Sequence, residues 1–159
     1  MDIRRALPAD LPALAEIYGR EAREGHATFD LEPRPVELWE EKLAHDDHVL
    51  VAEHEDVVIG YASAAPYRPK PAYDRTRETG VYVAPGHQGL GTGRALYDAL
   101  LALLADDGVH LVVAAVAQPN DASMALHRAC GFEEVGTMRE VGLKHGRWID
   151  VTWLQRVLG

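Results

Sequence analysis

The stretch Val81-Tyr82-Val83-Ala84-Pro85-Gly86-His87-Gln88-Gly89-Leu90-Gly91-Thr92-Gly93-Arg94-Ala95-Leu96-Tyr97, running on to Leu104, decides how this chain is read. Val81 to Val83 is the end of a β-rich run, and Pro85 and Gly86 break it. Gly89, Gly91 and Gly93 then alternate with Leu90 and Thr92 before a strongly apolar helix. A glycine-rich turn entering a helix leaves unpaired backbone N–H groups at the positive end of the dipole. That is a seat for a phosphate or pyrophosphate. From Arg94 to Asp107 the apolar residues form two stripes, Leu96-Leu100-Leu103 and Tyr97-Leu101-Leu104, which predicts a helix buried on a broad face and stopped by Gly108.

Upstream of this segment, Asp2 to Ala6 reads as a first strand. A helix follows Asp10, with Pro12 at its start and Gly25 at its end. Glu24 to Pro35 is irregular, and Val36 to Asp46 reads as a second helix. Val49–Ala52 and Val57–Ala65 form a predicted hairpin across the acidic turn Glu53–Asp56. A proline-rich loop, Pro66 to Pro71, leads to a strand over Asp74–Val83. Downstream, His110–Ala117 is a nearly continuous apolar strand, as expected when both faces are covered. Pro119-Asn120-Asp121 is a turn with a capping residue, Ala122–Ala129 a short helix closed by Gly131, and Phe132–Val141 and Arg147–Leu158 are two last strands around Lys144-His145-Gly146. Strands and helices mixed in this way make an α/β or α+β sheet protein.

The totals narrow the function. A chain of 159 residues with 47% hydrophobic and 26% charged residues suits one globular domain, residues 1–159. A net charge of −9 argues against nucleic acid or an anionic membrane as the main partner. One cysteine, Cys130, allows no intrachain disulfide, and no apolar run approaches membrane-spanning length, so the expected location is cytoplasmic. His45 and His48 are spaced i, i+3 with Asp46 and Asp47 between them. They read as a helix-end surface pair, and no metal is expected.

Three phosphate sites compete for the glycine turn. A P-loop needs Lys-Ser or Lys-Thr after its last glycine, whereas Arg94-Ala95 follows Gly93. A dinucleotide fingerprint needs G-x-G-x-x-G and a later acidic residue, whereas the spacing here is G-x-G-x-G and the next strand ends in Gln118-Pro119. The third pattern, Q-x-x-G-x-G, is present from Gln88 to Gly93. It resembles the pyrophosphate turn of the GNAT acetyltransferases. Val81-Tyr82-Val83 before the turn, Pro119-Asn120-Asp121-Ala122-Ser123 before the later helix, and Gly131-Phe132 after it extend the likeness. Ala27-Thr28-Phe29, Ala72 to Val83, Leu126-His127 and the closing K-H-G-x-W-x-D of Lys144–Asp150 resemble the phosphinothricin N-acetyltransferase branch. That branch acetylates small amino-acid-like amines such as phosphinothricin and methionine sulfoximine or sulfone.

The resemblance implies a GNAT fold: a central mixed, mostly antiparallel sheet flanked by helices, with a splayed parallel pair of strands at the cofactor site. It implies acetyl-CoA as cosubstrate, a small-molecule amine as acceptor, and a homodimer. Residue by residue, it carries acetyl-CoA binding onto Val81, Tyr82, Val83, Gly89, Leu90, Gly91, Thr92, Gly93, Arg94 and Asn120. It makes Glu78 the general base, because an ammonium must lose its proton before it attacks. At His127 many family members have Tyr acting as acid toward the leaving thiolate. Histidine either keeps that role or only sits against the cofactor. Thr28, Phe29, Lys70, Pro71, Ala72, Tyr73, Arg75 and His145 are the acceptor-site candidates. Taken singly, Arg68, Lys70, Arg75 and Arg77 read as a solvated basic loop. Cys130 reads as a small buried residue rather than a nucleophile. Two other readings remain open: a non-catalytic acyl-CoA sensor, and an acetyltransferase for a polyamine or a protein N-terminus.

Overall fold

The computed structural model describes residues 1–159. In chain order the elements are β1 (Asp2–Arg5), α1 (Leu11–Glu24), α2 (Val36–His45), β2 (His48–His54), β3 (Val57–Pro66), β4 (Thr76–Val83), α3 (Thr92–Asp106), β5 (Leu111–Ala117), α4 (Asp121–Ala129), β6 (Glu133–Lys144) and β7 (Arg147–Val157). Single 3-10 turns occupy Pro8–Asp10 and Pro71–Tyr73. The elements expected from the sequence are all present, with ends shifted by a few residues. The β2–β3 hairpin turn is tighter than expected, confined to Glu55 and Asp56 at φ 50° and 63°.

The sheet has seven strands in the order β1-β2-β3-β4-β5-β7-β6. Every neighbouring pair is antiparallel except β4–β5. Alternation along the strands feeds two cores, one on each face. In β2, Leu50 and Ala52 join Leu96, Leu100 and Leu104 of α3, while Val49 and Val51 join Leu14 and Tyr18 of α1 and Trp39 of α2. Burial of such side chains stabilises by about 1.5–3 kcal/mol each. The two stripes of α3 are both used: Leu96, Tyr97, Leu100, Leu101 and Leu104 are all buried. No helix is long and apolar enough to cross a membrane.

What positions the site is the parallel pair. β4 and β5 are bonded only over Thr76–Glu78 and Leu111–Val113. Beyond that point β4 stays paired to β3 through Val83, and β5 stays paired to β7 through Ala117. The two strands are held by their outer neighbours while their facing edges part. Gly80–Val83 and Ala114–Ala117 therefore present unpaired backbone groups to a gap in the middle of the sheet, and buried backbone groups need partners. This is the splayed pair that the resemblance implied.

Candidate active site

Two cavities meet at the gap. One, of about 610 Å³, lies on the α3–α4 side and is lined by β4, the glycine turn, β5 and α4. The other, of about 390 Å³, lies on the α1–α2 side. Ala27, Thr79, Gly80, Tyr82, Ala115 and Ala117 line both. Strand alternation divides β4 between the two sides. Val81 packs into the α3 core, whereas Glu78 lines the smaller cavity and Tyr82 packs toward α1.

The Glu78 side chain carries no hydrogen bond within the protein, although its backbone lies in the β4 ladder, and its residue surface is open to the cleft. The concave wall around it still strips water from the carboxylate. Desolvation raises its pKa, and the positive charges of Arg68 and Lys42 partly offset that. A carboxylate so raised is better matched to taking a proton from an ammonium.

The glycine turn has a geometry that can seat an anion. Gly91 is the N-cap of α3 at φ 84°, a left-handed conformation that glycine adopts at little cost. Gly93 serves a different purpose: a Cβ there would come within 3.0 Å of Leu126 Cδ2, so it sets the approach of α3 to α4. Gly89, Gly91, Thr92, Gly93 and Arg94 line the larger cavity, as do Val81, Tyr82 and Val83. Arg94 also pairs with Asp98 one turn on, at 3.0 Å. Leu90 departs from expectation. Its side chain is 70% exposed and is not part of the cavity wall. Asn120 lines the same cavity and caps α4, its Oδ1 accepting from Ser123 N at 3.1 Å. One amide thus performs the capping task and leaves its NH₂ free for a ligand.

His127 also lines this cavity but is only 3% exposed. The Ser123 carbonyl lies 2.7 Å from Nδ1, which assigns the proton to that nitrogen. Nε2 then accepts from Tyr97 Oη at 2.9 Å, and Tyr97 in turn lies 3.2 Å from Thr79 Oγ1. Burial pushes the imidazole pKa down. Cys130 is buried and its thiol pKa raised by desolvation, as expected of a packing residue.

Around the smaller cavity the structure sorts the acceptor candidates. Thr28 and Phe29 line it. Lys70, Pro71, Ala72, Tyr73 and Arg75 do not: they form an exposed 3-10 turn and its flanks, where Tyr73 packs edge-on against Tyr67. The loop turns away because β4 begins only at Thr76, so proximity to Glu78 in sequence is not proximity in space. His145 is likewise outside, exposed in the β6–β7 turn at φ 50°. Two cations that the sequence did not single out stand in the wall, and a third, Arg68, read from the sequence as a solvated loop residue, faces Glu78. Arg34 and Lys42 line the cavity, paired to Asp30 and Asp46 at 2.6 Å each. Arg68, stacked over Tyr67 at 4.8 Å, has no carboxylate partner and acts electrostatically on Glu78. Arg77 is not a solvated loop residue, since it pairs with Asp47. A box of Tyr18, Trp39, Tyr61 and Tyr82 was missed as well, with Tyr61 and Tyr82 stacked at 5.4 Å. Aromatic residues at separations of 20 or so had no periodic signal to join them. His45 is exposed at the end of α2, but His48 is not the surface residue expected: it is buried at the start of β2, bonded to Asp107 at 2.6 Å and Arg5 at 3.1 Å.

A sheet parted beside a glycine turn that caps a helix, with a raised carboxylate across the gap, is an arrangement that can hold an anionic ligand beside a proton acceptor. Residues 11–132 match the Acetyltransferase (GNAT) family, and the chain belongs to that family. It is 42% identical to a phosphinothricin N-acetyltransferase of Streptomyces coelicolor, over 99% of this chain and 96% of that one. It is 38% identical to an L-methionine sulfoximine/L-methionine sulfone acetyltransferase of Salmonella typhimurium, over 98% and 93%. The structure of a GNAT superfamily phosphinothricin acetyltransferase from Sinorhizobium meliloti, in complex with acetyl-CoA, superposes with a TM-score of 0.94 at 35% identity, covering 99% of this chain and 88% of that one.

Proposed function

We propose that this acetyltransferase moves the acetyl group of acetyl-CoA to the amine of a small amino-acid-like compound of the phosphinothricin or methionine sulfoximine and sulfone type. The observation that carries the reading is the meeting of two cavities at the β4–β5 gap, with the unbonded Glu78 carboxylate on the acceptor side. Acetyl-CoA supplies the acetyl group as a thioester. The unpaired edge of β4 from Gly80 to Val83 offers N–H donors to the pantetheine arm and the thioester oxygen. The first turn of α3 and Arg94 take the pyrophosphate. Glu78 takes the ammonium proton, directly or through water, and the freed amine attacks the thioester carbonyl. The C–S bond then breaks and CoA leaves as its sulfur takes the second proton shed by the nitrogen of the tetrahedral intermediate, directly or through water. His127, neutral and bonded at both nitrogens, holds Tyr97 against the cleft. This favours packing against the cofactor over proton donation.

The acceptor cavity is aromatic, and the cations Arg34 and Lys42 in its wall, with Arg68 acting on Glu78 from outside it, stand out on a chain of net charge −9. A carboxylate-bearing amine fits that field, whereas a polyamine does not. The test is thiol release from acetyl-CoA with phosphinothricin, methionine sulfone, methionine sulfoximine, spermidine and an alanine-terminated peptide. Release is expected with the first three acceptors. Tight CoA binding with no release from any amine would establish the sensor reading instead.

The reading includes a homodimer. β6 is an edge strand, and Val135, Met138, Val141, Leu143 and Trp148 of the β6–β7 hairpin are 44–62% exposed. Leu143 and Trp148 stand opposite one another in register. An apolar edge left open is an aggregation hazard unless a partner covers it. Sedimentation is expected to give twice the chain mass of 17.5 kDa, and Trp148→Glu to shift it toward one.

A further inference from the structure

We infer that Lys144 is a positioning residue for the acceptor, acting through the Thr28–Phe29 backbone. The inference rests on the reading of the smaller cavity as the amine site. Lys144 is the last residue of β6 and is 2% exposed. Its Nζ donates to the Thr28 carbonyl at 2.7 Å and reaches the Glu21 carbonyl at 3.5 Å. No carboxylate lies within ion-pair distance of it. Burying an ammonium on carbonyls alone is costly. Desolvation accordingly lowers its pKa, and the more distant charges of Glu21 and Asp30 offset this only in part. A surface salt bridge or an apolar side chain would tie β6 down at less cost, so the arrangement is better explained by what it holds in place.

What it holds is the wall of the acceptor cavity. With its carbonyl fixed, Thr28 turns its hydroxyl to Tyr18 Oη at 2.6 Å and accepts from Asp30 N at 3.1 Å. Tyr18 also donates to Asp30, which receives Arg34 at 2.6 Å. Tyr18, Thr28, Phe29 and Arg34 all line the cavity, and Lys144 does not. Two residues earlier on β6, Gly142 lies so close to Phe29 that a Cβ would overlap the ring. The end of β6 therefore grips this segment twice, once at the Thr28 backbone and once at the Phe29 ring.

The experiment begins with the wild-type acceptor panel, then compares Lys144→Met, Lys144→Arg and Gly142→Ala in steady-state kinetics with each substrate varied. Lys144→Met is expected to raise acceptor KM about tenfold, the loss of a hydrogen bond from a charged donor, with KM for acetyl-CoA changed by less than about twofold. Lys144→Arg, which keeps a donor, is expected to recover part of that loss. Gly142→Ala leaves the lysine intact and displaces Phe29. It is expected to raise acceptor KM and to reorder the preference among acceptors of different side-chain size. A general loss of stability would move both KM values or neither. Unchanged acceptor KM in Gly142→Ala, or equal rises for both substrates, overturns the inference even if Lys144→Met fails to fold. If the wild type acetylates no amine in the panel, the reading of the cavity has failed instead.

Discussion

Glu78→Gln is expected to lower kcat by about 10²- to 10⁴-fold, the usual worth of a positioned general base, while KM for acetyl-CoA changes by less than about twofold. The substitution is nearly isosteric and removes the capacity to accept a proton. The Glu78 side chain makes no hydrogen bond inside the protein, so no network is broken, and it lines only the smaller cavity, so the larger one is untouched. The loss therefore falls on the chemical step. A variant that kept the full rate would sink the base assignment.

The pH profile provides a second handle on the same residue. Burial raises the Glu78 pKa above its ordinary value, and the fields of Arg68 and Lys42 hold that rise in check. The base is competent only when ionised, so activity rises as pH passes upward through this raised pKa. In Glu78→Gln that limb disappears, leaving only the ionisation of the amine itself. Arg68→Ala removes one of the two restraining charges, so the acid limb moves to higher pH. A limb that stays put in both variants would belong to another group.

Much of this architecture was legible in the sequence, for a local reason. Periodicity of 2 and 3.6, proline, glycine and caps act over a few residues, and the elements from β1 to β7 follow from them. The geometry of the glycine turn was legible because turn, cap and helix start are consecutive from Gly89 to Arg94. The wall of the smaller cavity was not, because it is assembled from α1, the 27–34 segment, α2, β3, β4, β5 and β7, whose meeting depends on how the sheet is covered. Arg34 and Lys42 look like solvated charges in the one-dimensional pattern, and only the packing of α2 shows them facing a cavity. At the C-terminal hairpin two adjacent residues part company. His145 and Lys144 are neighbours, but the turn at His145-Gly146 sends the histidine to solvent and leaves the lysine on the inward face. The splay of β4 from β5 has no sequence signal of its own. It arises because each strand keeps its other neighbour.

Gly91→Val is expected to reduce kcat/KM for acetyl-CoA by about 10²-fold, and Gly91→Ala by less. Gly91 holds φ 84° and ψ 3° as the N-cap of α3, and its carbonyl accepts the first bond of the helix, from Ala95 N at 3.0 Å. Nothing lies within 4 Å of a Cβ built there, so the substitution fails through backbone strain rather than collision. An L-residue in this conformation costs about 1–2 kcal/mol, and a β-branched one costs more because its χ1 is restricted as well. The chain relieves the strain by rotating toward negative φ. That rotation turns the N–H groups of Thr92 and Gly93 away from the phosphate seat. Two charge-assisted hydrogen bonds of about 1.5 kcal/mol each are then weakened, and each 1.4 kcal/mol is a factor of ten. CoA affinity measured by calorimetry should fall in parallel, because the product keeps the pyrophosphate. Acceptor KM should stay near its wild-type value, since the glycine turn lines only the larger cavity. If Gly91→Val bound CoA as tightly as the wild type, the pyrophosphate would have to lie elsewhere than at the start of α3.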